Sequence, residues 1–174
     1  MIIVTGGAGF IGSNLINALT EKKYGVYLCD YPELVKKNYF HHYDQIKKIV
    51  KPHNLFKFIS ENNIKVIFHL GAISATTHKN PNKQWVDNLL FSNKLWRTCY
   101  KQNIRLIYAS SAATYGNGEL GFEDTEDLSF LKNLKAMNVY GWTKNEVDIR
   151  NIYLKKNYGL FPPQWVALKF FNVY

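Results

Sequence analysis

The sequence predicts a doubly wound α/β structure, a parallel sheet with helices on both faces, and three observations support this. Apolar, β-branched runs of strand length alternate along the whole chain with stretches of helical spacing. The first strand and helix enclose a glycine turn and, with the next strand, make a βαβ unit of about 30 residues, whose crossover requires parallel strands. No internal repeat, linker or low-complexity stretch interrupts the alternation, so the 174 residues are read as one domain, 1–174.

Residues 2–5 form the first strand, ending at Gly6. Residues 10–19 follow as a helix on the spacing of Phe10, Ile11, Leu15, Ala18 and Leu19. Residues 25–29 are the second strand, closed by Asp30. Residues 31–63 are less patterned: 46–50 suits a strand, and Pro52 suits the first position of a helix carrying Leu55, Phe56 and Ile59. Residues 65–70 form a buried strand, 85–100 a helix through Trp85, Leu89, Leu90, Leu95 and Trp96, and 104–109 another strand. After a Gly- and acid-rich stretch, 116–127, residues 140–158 read as a helix and 165–171 as the last strand.

Composition narrows the function classes. Apolar residues make up 47% of the chain and aromatics 16%, which excludes a disordered or fibrous protein. Lys and Arg number 22 against 13 Asp and Glu, a formal charge of +9 that favours anionic partners without choosing among them. The aromatics fall at core spacings and no nucleic-acid module is present, so no nucleic-acid partner is expected. Cys29 and Cys99 lie in different elements without ligand spacing, which suggests neither a disulfide framework nor a metal site and fits a reducing, cytoplasmic setting. No apolar run has the length of a membrane span and no signal peptide opens the chain, so neither a membrane association nor export is expected.

The chemistry is carried by two constellations. In the first, Gly6, Gly9 and Gly12 recur every third residue between a strand and a helix. The first glycine permits a tight turn, the second lets a pyrophosphate approach the backbone, and the third lets the helix pack on the sheet. The helix N-terminus then offers free N–H groups to phosphate. Asp30, ending the second strand, is placed to accept hydrogen bonds from an adenosine ribose. Such an acid disfavours a 2′-phosphate, whereas Lys36 and Lys37 nearby favour one, so NAD and NADP both stay open.

In the second constellation, Tyr140 and Lys144 stand one helical turn apart, so the ammonium can lie near the phenol and favour phenolate, as a general base requires. Ser110 and Ser111 end a strand at the sheet edge where ligands bind in this architecture, and Ser111 can hydrogen-bond a substrate hydroxyl or carbonyl. A turn or capping role for the serines is equally compatible with the spacing.

Together these residues resemble the extended short-chain dehydrogenase/reductases, the NAD-dependent epimerase/dehydratase family. The blocks at residues 1–14, 68–72, 108–116 (YASSAATYG), 138–141 and 171–174 are similar to the branch that epimerises an ADP-linked manno-heptose at C6. The resemblance implies a Rossmann NAD(P)-binding fold and an NADP-dependent isomerase that oxidises C6 transiently and returns the hydride to the other face. It serves the inner-core heptose of lipopolysaccharide. It places Phe10 and Ile11 over the phosphates, Asp30 and Tyr31 at the adenosine ribose and Lys37 at its 2′-phosphate. Leu70, Gly71, Ala72, Ile73, Ser74 and Asn88 line the cofactor, Lys144 binds the nicotinamide ribose and Val173 also meets the cofactor. Ser111, Tyr140 and Lys144 are the catalytic set, Tyr140 being the acid/base, and Asn172 meets an ADP-sugar substrate. The intact family is expected to be homo-oligomeric.

Two departures accompany the resemblance. The family's lysine near the third helix is replaced here by Pro52, with Lys51 beside it. The family also continues past the Asn-Val-Tyr segment with a second catalytic lysine and a substrate domain, so the chain corresponds to the N-terminal, cofactor-binding part. The alternatives are a truncated NADP-binding remnant without activity, or a sister nucleotide-sugar 4-epimerase or 4,6-dehydratase.

Overall fold

The structure, a computed structural model, describes residues 1–75 and 80–174. Six strands form one parallel sheet in the order β3-β2-β1-β4-β5-β6: β1 (Ile2–Thr5), β2 (Val26–Cys29), β3 (Ile46–Val50), β4 (Val66–His69), β5 (Arg105–Ser111) and β6 (Trp165–Phe170). In β1, Thr5 lies opposite Cys29 on one side and His69 on the other. The carboxyl ends of β1, β2 and β4 are therefore level, and all point to one edge of the sheet.

Successive side chains in a strand face opposite ways, and two cores follow. Val4, Val26 and Leu28 join Ile16 of α1 (Phe10–Glu21) and Val35 of the one-turn helix α2 (Pro32–Val35) on one face. Ile3, Ile67, Leu106 and Tyr108 join α3 (Leu55–Glu61), α5 (Phe91–Lys101) and α7 (Val139–Tyr158) on the other. The connections from β1 and β2 cover the first face and those after β3 cover the second. The chain thus changes sides between β1 and β4, which is where this architecture opens a crevice.

The helix read at 85–100 begins earlier and is not regular. α4 (Pro81–Gln84) is capped by the Asn80 side chain, which accepts from Lys83 N at 3.0 Å, and a π-helical stretch, Trp85–Leu90, continues into α5. β5 runs two residues further than the apolar pattern, through Ser110 and Ser111, and β6 stops at Phe170. Pro52 opens a 3₁₀ turn, Pro52–Asn54, that leads into α3. α6 (Leu128–Asn133), a 3₁₀ turn at Ala112–Tyr115 and α2 have no periodic signal in the sequence, because each is too short to show one. α7 is capped at its start by Asn138, which accepts from Gly141 N at 2.8 Å, and ends at Gly159 in the left-handed conformation. Cys29 and Cys99 are free and buried. No helix among the described residues is long and apolar enough to cross a membrane.

Candidate active site and cofactor cleft

A cleft of about 850 Å³ opens along the carboxyl edge of the sheet. One wall is the glycine turn. Gly6 has φ +67°, and a Cβ there would lie 2.6 Å from the Gly71 backbone; one at Gly12 would run into the Gly6 carbonyl. Bare backbone is therefore required at both positions. No side chain caps α1 at Gly9 and no acid stands in its first turn, so its N-terminal N–H groups and partial positive charge face the cleft uncompensated. That donor set fits a pyrophosphate. Asp30 closes the turn from the side: Oδ2 accepts from Ala8 N at 3.0 Å and Oδ1 from Tyr31 N at 2.8 Å. Tyr31 and Lys37 line the same end of the cleft.

The middle wall is residues 70–74, held by two buried devices. In the first, Gly71 N donates to Thr5 Oγ1 (3.3 Å), which pairs with His69 Nδ1 (2.7 Å), and His69 Nε2 pairs with Ser92 Oγ (2.9 Å), which donates to the Asn88 carbonyl. Ser92 spends its proton on that carbonyl, so His69 carries its own on Nε2 and accepts at Nδ1. The ring is neutral, and burial together with the Lys144 charge lowers its pKa to about 3. The second device is Asn88, seated in the π-helical stretch. It accepts from Ile73 N at 2.8 Å and donates to Ile73 O at 3.1 Å. Asn88 is fully buried and stands behind residues 70–74, clamping them from within, and the cleft wall itself is Leu70, Gly71, Ala72, Ile73 and Ser74.

The third wall joins β5 to α7. Gly141 packs on the Ala113 carbonyl, leaving no room for a side chain, and this docks the start of α7 against the turn that follows Ser111. Tyr140, Lys144 and Ser111 then line the cleft together. Ser111 also caps its turn, its Oγ accepting from Ala113 N at 3.1 Å, while the residue still lines the cleft. Lys144 is buried and its ammonium donates to the Ala109 carbonyl at 2.6 Å, 5.8 Å from the Tyr140 ring centroid. Burial lowers its pKa to about 8 while Asp148 acts the other way. The expectation that the lysine brings the phenol down is corrected. Burial pushes Tyr140 up, and what pulls it back is the Ser111 hydroxyl, because the ammonium is turned to Ala109. Asn172 and Val173 reach the cleft from beyond β6.

Of the candidate site residues singled out in the sequence, the structure gathers all but Asn88, Lys36 and Lys51 along this cleft. Asp148 and Lys169 carried no motif, although Asp148 continues the four-residue series of Tyr140 and Lys144, while His69 and Thr114 lay within the blocks 68–72 and 108–116 without a role of their own. Among the described residues no group of three or more His, Cys, Asp or Glu could hold a metal ion.

The pattern of the NAD dependent epimerase/dehydratase family matches residues 2–174. The chain belongs to that family. An ADP-L-glycero-D-manno-heptose-6-epimerase of Fusobacterium nucleatum is 39% identical over 182 residues, covering 100% of this chain and 53% of the relative. The structure of the Helicobacter pylori ADP-L-glycero-D-manno-heptose-6-epimerase superposes with a TM-score of 0.74 at 25% identity, over 99% of this chain and 55% of that one. MoeE5 in complex with UDP-glucose and NAD gives 0.73 at 25%, over 99% and 55%. The chain spans about half the length of the curated relatives it matches. Its sheet order and its glycine cradle at the crossover make the fold a Rossmann fold, as expected for this family.

Proposed function

We propose that the chain is the dinucleotide-binding part of an ADP-glycero-manno-heptose 6-epimerase, working with a nicotinamide dinucleotide, NADP in preference to NAD. The intact enzyme is read as a cytoplasmic homo-oligomer, and residues 1–174 as a single folding domain of it. The observation that carries the reading is one cleft holding both the glycine cradle and the Ser111–Tyr140–Lys144 set. The likeness to two heptose-6-epimerases supports the substrate class. Lys37 on the Asp30 side of the cleft supports a 2′-phosphate.

The residues present divide the work. Gly6, Gly9 and the N-terminus of α1 hold a pyrophosphate, with Phe10 and Ile11 beside it. Asp30 keeps carboxylate lone pairs for ribose hydroxyls after accepting from Ala8 and Tyr31. Lys144 presents its ammonium to the nicotinamide ribose, and Ser111 orients the reacting hydroxyl or carbonyl. In its phenolate form, which the Ser111 hydroxyl favours, Tyr140 takes the proton of the sugar hydroxyl during oxidation, and as the phenol so formed it returns that proton during reduction. The nicotinamide, when bound, supplies the acceptor and then the donor of the hydride. Delivery to the second face of the carbonyl needs a second acid/base, which the longer relatives have chain enough to contain.

The experiment is a fluorescence titration of the folded chain with NADPH and NADH, followed by a C6-inversion assay. Binding of NADPH without inversion by these 174 residues is expected. Failure of both cofactors to bind overturns the cofactor reading, and inversion by the chain alone overturns its division of labour with a second half. A binding-only remnant is the second reading, favoured by the half-length match. Activity of the same chain extended to the relatives' length decides between them.

A further inference from the structure

Asp148 is 2% exposed yet carries a charge. Its Oδ1 accepts from the Tyr108 hydroxyl at 2.8 Å, and Oδ2 accepts from the Ser110 hydroxyl at 2.6 Å and the Lys169 ammonium at 2.8 Å. Lys169 also donates to Thr114 Oγ1 at 2.9 Å, and the Thr114 hydroxyl donates to the Ser111 carbonyl at 2.8 Å. Three successive turns of α7 thus grip the end of β5: Asp148 holds Tyr108 and Ser110, Lys144 holds Ala109, and Tyr140 stands beside Ser111. A carboxylate taken out of water is costly unless fully bonded, and apolar packing would join a strand to a helix at lower cost. The Lys144 ammonium donates to a neutral carbonyl and is in no ion pair among the described residues, and the negative charge of Asp148, one turn further along α7, is what raises its pKa against burial.

We propose that Asp148 is a positioning residue of the Ser111–Tyr140–Lys144 site: clamped by Tyr108, Ser110 and Lys169, it keeps β5 in register with α7 and supplies the charge that holds Lys144 as an ammonium. This deepens the functional reading and rests on it for the roles of Tyr140 and Lys144, while the geometry stands independently. The groups facing Lys144 are Tyr140 and Asp148 on α7, neutral His69 on β4 and Tyr108 on β5, with Lys169 of β6 behind Asp148. Glu126, which bears on Tyr108, is neutralised by Lys155 at 2.7 Å.

The test is an NMR titration of the chain labelled with ¹³C at lysine Cε, the Lys144 resonance being assigned by its loss in Lys144→Met. The wild-type midpoint is expected near 8, below an ordinary lysine. Asp148→Asn, which keeps the shape, moves it down by about one pH unit. Lys169→Met breaks the same network but leaves the Asp148 charge, and does not move the midpoint down. Should Asp148→Asn fail to fold by circular dichroism, Asp148→Asn/Lys169→Met, which removes both charges of the Asp148–Lys169 pair, is titrated with the same downward expectation. An unmoved midpoint without Asp148, or an equal fall in Lys169→Met, overturns the proposal. No cofactor is used, so failure of the chain to bind a dinucleotide overturns the functional reading alone.

Discussion

At the β1–α1 end of the cleft the working surface is backbone: glycines without side chains, a helix N-terminus, and one carboxylate that ties the turn together. At the β5–α7 end the surface is a buried polar lattice in which Asp148, Lys144 and Lys169 bind hydroxyls and carbonyls of a neighbouring strand. The first end fits a group that every dinucleotide carries, a pyrophosphate, by bare backbone and the N–H groups of a helix N-terminus. The second holds a half-buried phenol and a buried ammonium in low dielectric, where burial and neighbouring hydrogen bonds shift both pKa values. The difference teaches that binding and chemistry in this cleft depend on different kinds of interaction, and each can be broken separately.

The largest effect is expected at the polar end. Asp148→Ala leaves Lys169, Ser110 and Tyr108 without their shared acceptor and should cost about 3–5 kcal/mol in urea unfolding. Gly6→Ala, at the backbone end, places a Cβ against Gly71 in a left-handed conformation and should cost on the order of 3 kcal/mol while abolishing cofactor binding in the same titration. If Asp148→Ala proves the milder of the two, the contrast between the ends is reversed.

His69, hydrogen-bonded to Thr5 of β1 and Ser92 of α5, gives the pH dependence. Unfolded, it titrates near ~6.5; folded, it stays neutral down to about 3. The unfolded chain therefore binds the extra proton within that window, and stability falls as the pH drops through it. The slope is about 1.4 kcal/mol per pH unit. Denaturation curves at stepped pH should show this slope, and His69→Gln should flatten it. Smaller still, Lys37→Ala should weaken NADPH about tenfold and leave NADH unchanged in parallel titrations. Tyr140→Phe should leave stability within about 0.5 kcal/mol by thermal melt, marking the phenol as a functional rather than a structural group.

The same contrast explains what could be read without coordinates. The glycine turn is local: Gly6, Gly9 and Gly12 lie within seven residues, and their spacing carries its physical reason with it. The strands were legible because a buried parallel strand is a short apolar run, and α7 was read at 140–158, within one residue of its start at Val139. The polar lattice joins Tyr108, Thr114, Asp148 and Lys169, which are scattered over three elements and the turn after β5. Asp148 and Lys169 each look like surface groups when taken alone, and Tyr108 and Thr114 look like parts of a strand and its turn. Lys144 was found by its spacing, but its partner could not be, since only the packing of α7 on β5 shows that the ammonium reaches Ala109 in preference to the phenol. Asn88 was assigned to the cofactor, but the π-helical stretch turns it inward onto Ile73, and no periodicity announces such a stretch.

β1 occupies the middle of the sheet, with Ile2 opposite Val26 on one side and Val66 on the other. The β1–α1–β2 unit can close early because its contacts are near in sequence, whereas the pairing with β4 closes a much longer loop and is slow. The cradle lies on that second seam, since Gly6 is packed against Gly71. A dinucleotide can therefore bind only chains in which the seam has closed, and binding withdraws them from the unfolded pool. At a concentration of about 100 times Kd it adds about 2.7 kcal/mol to the folded state. Where a dinucleotide binds, its supply would therefore raise the folded share of this chain.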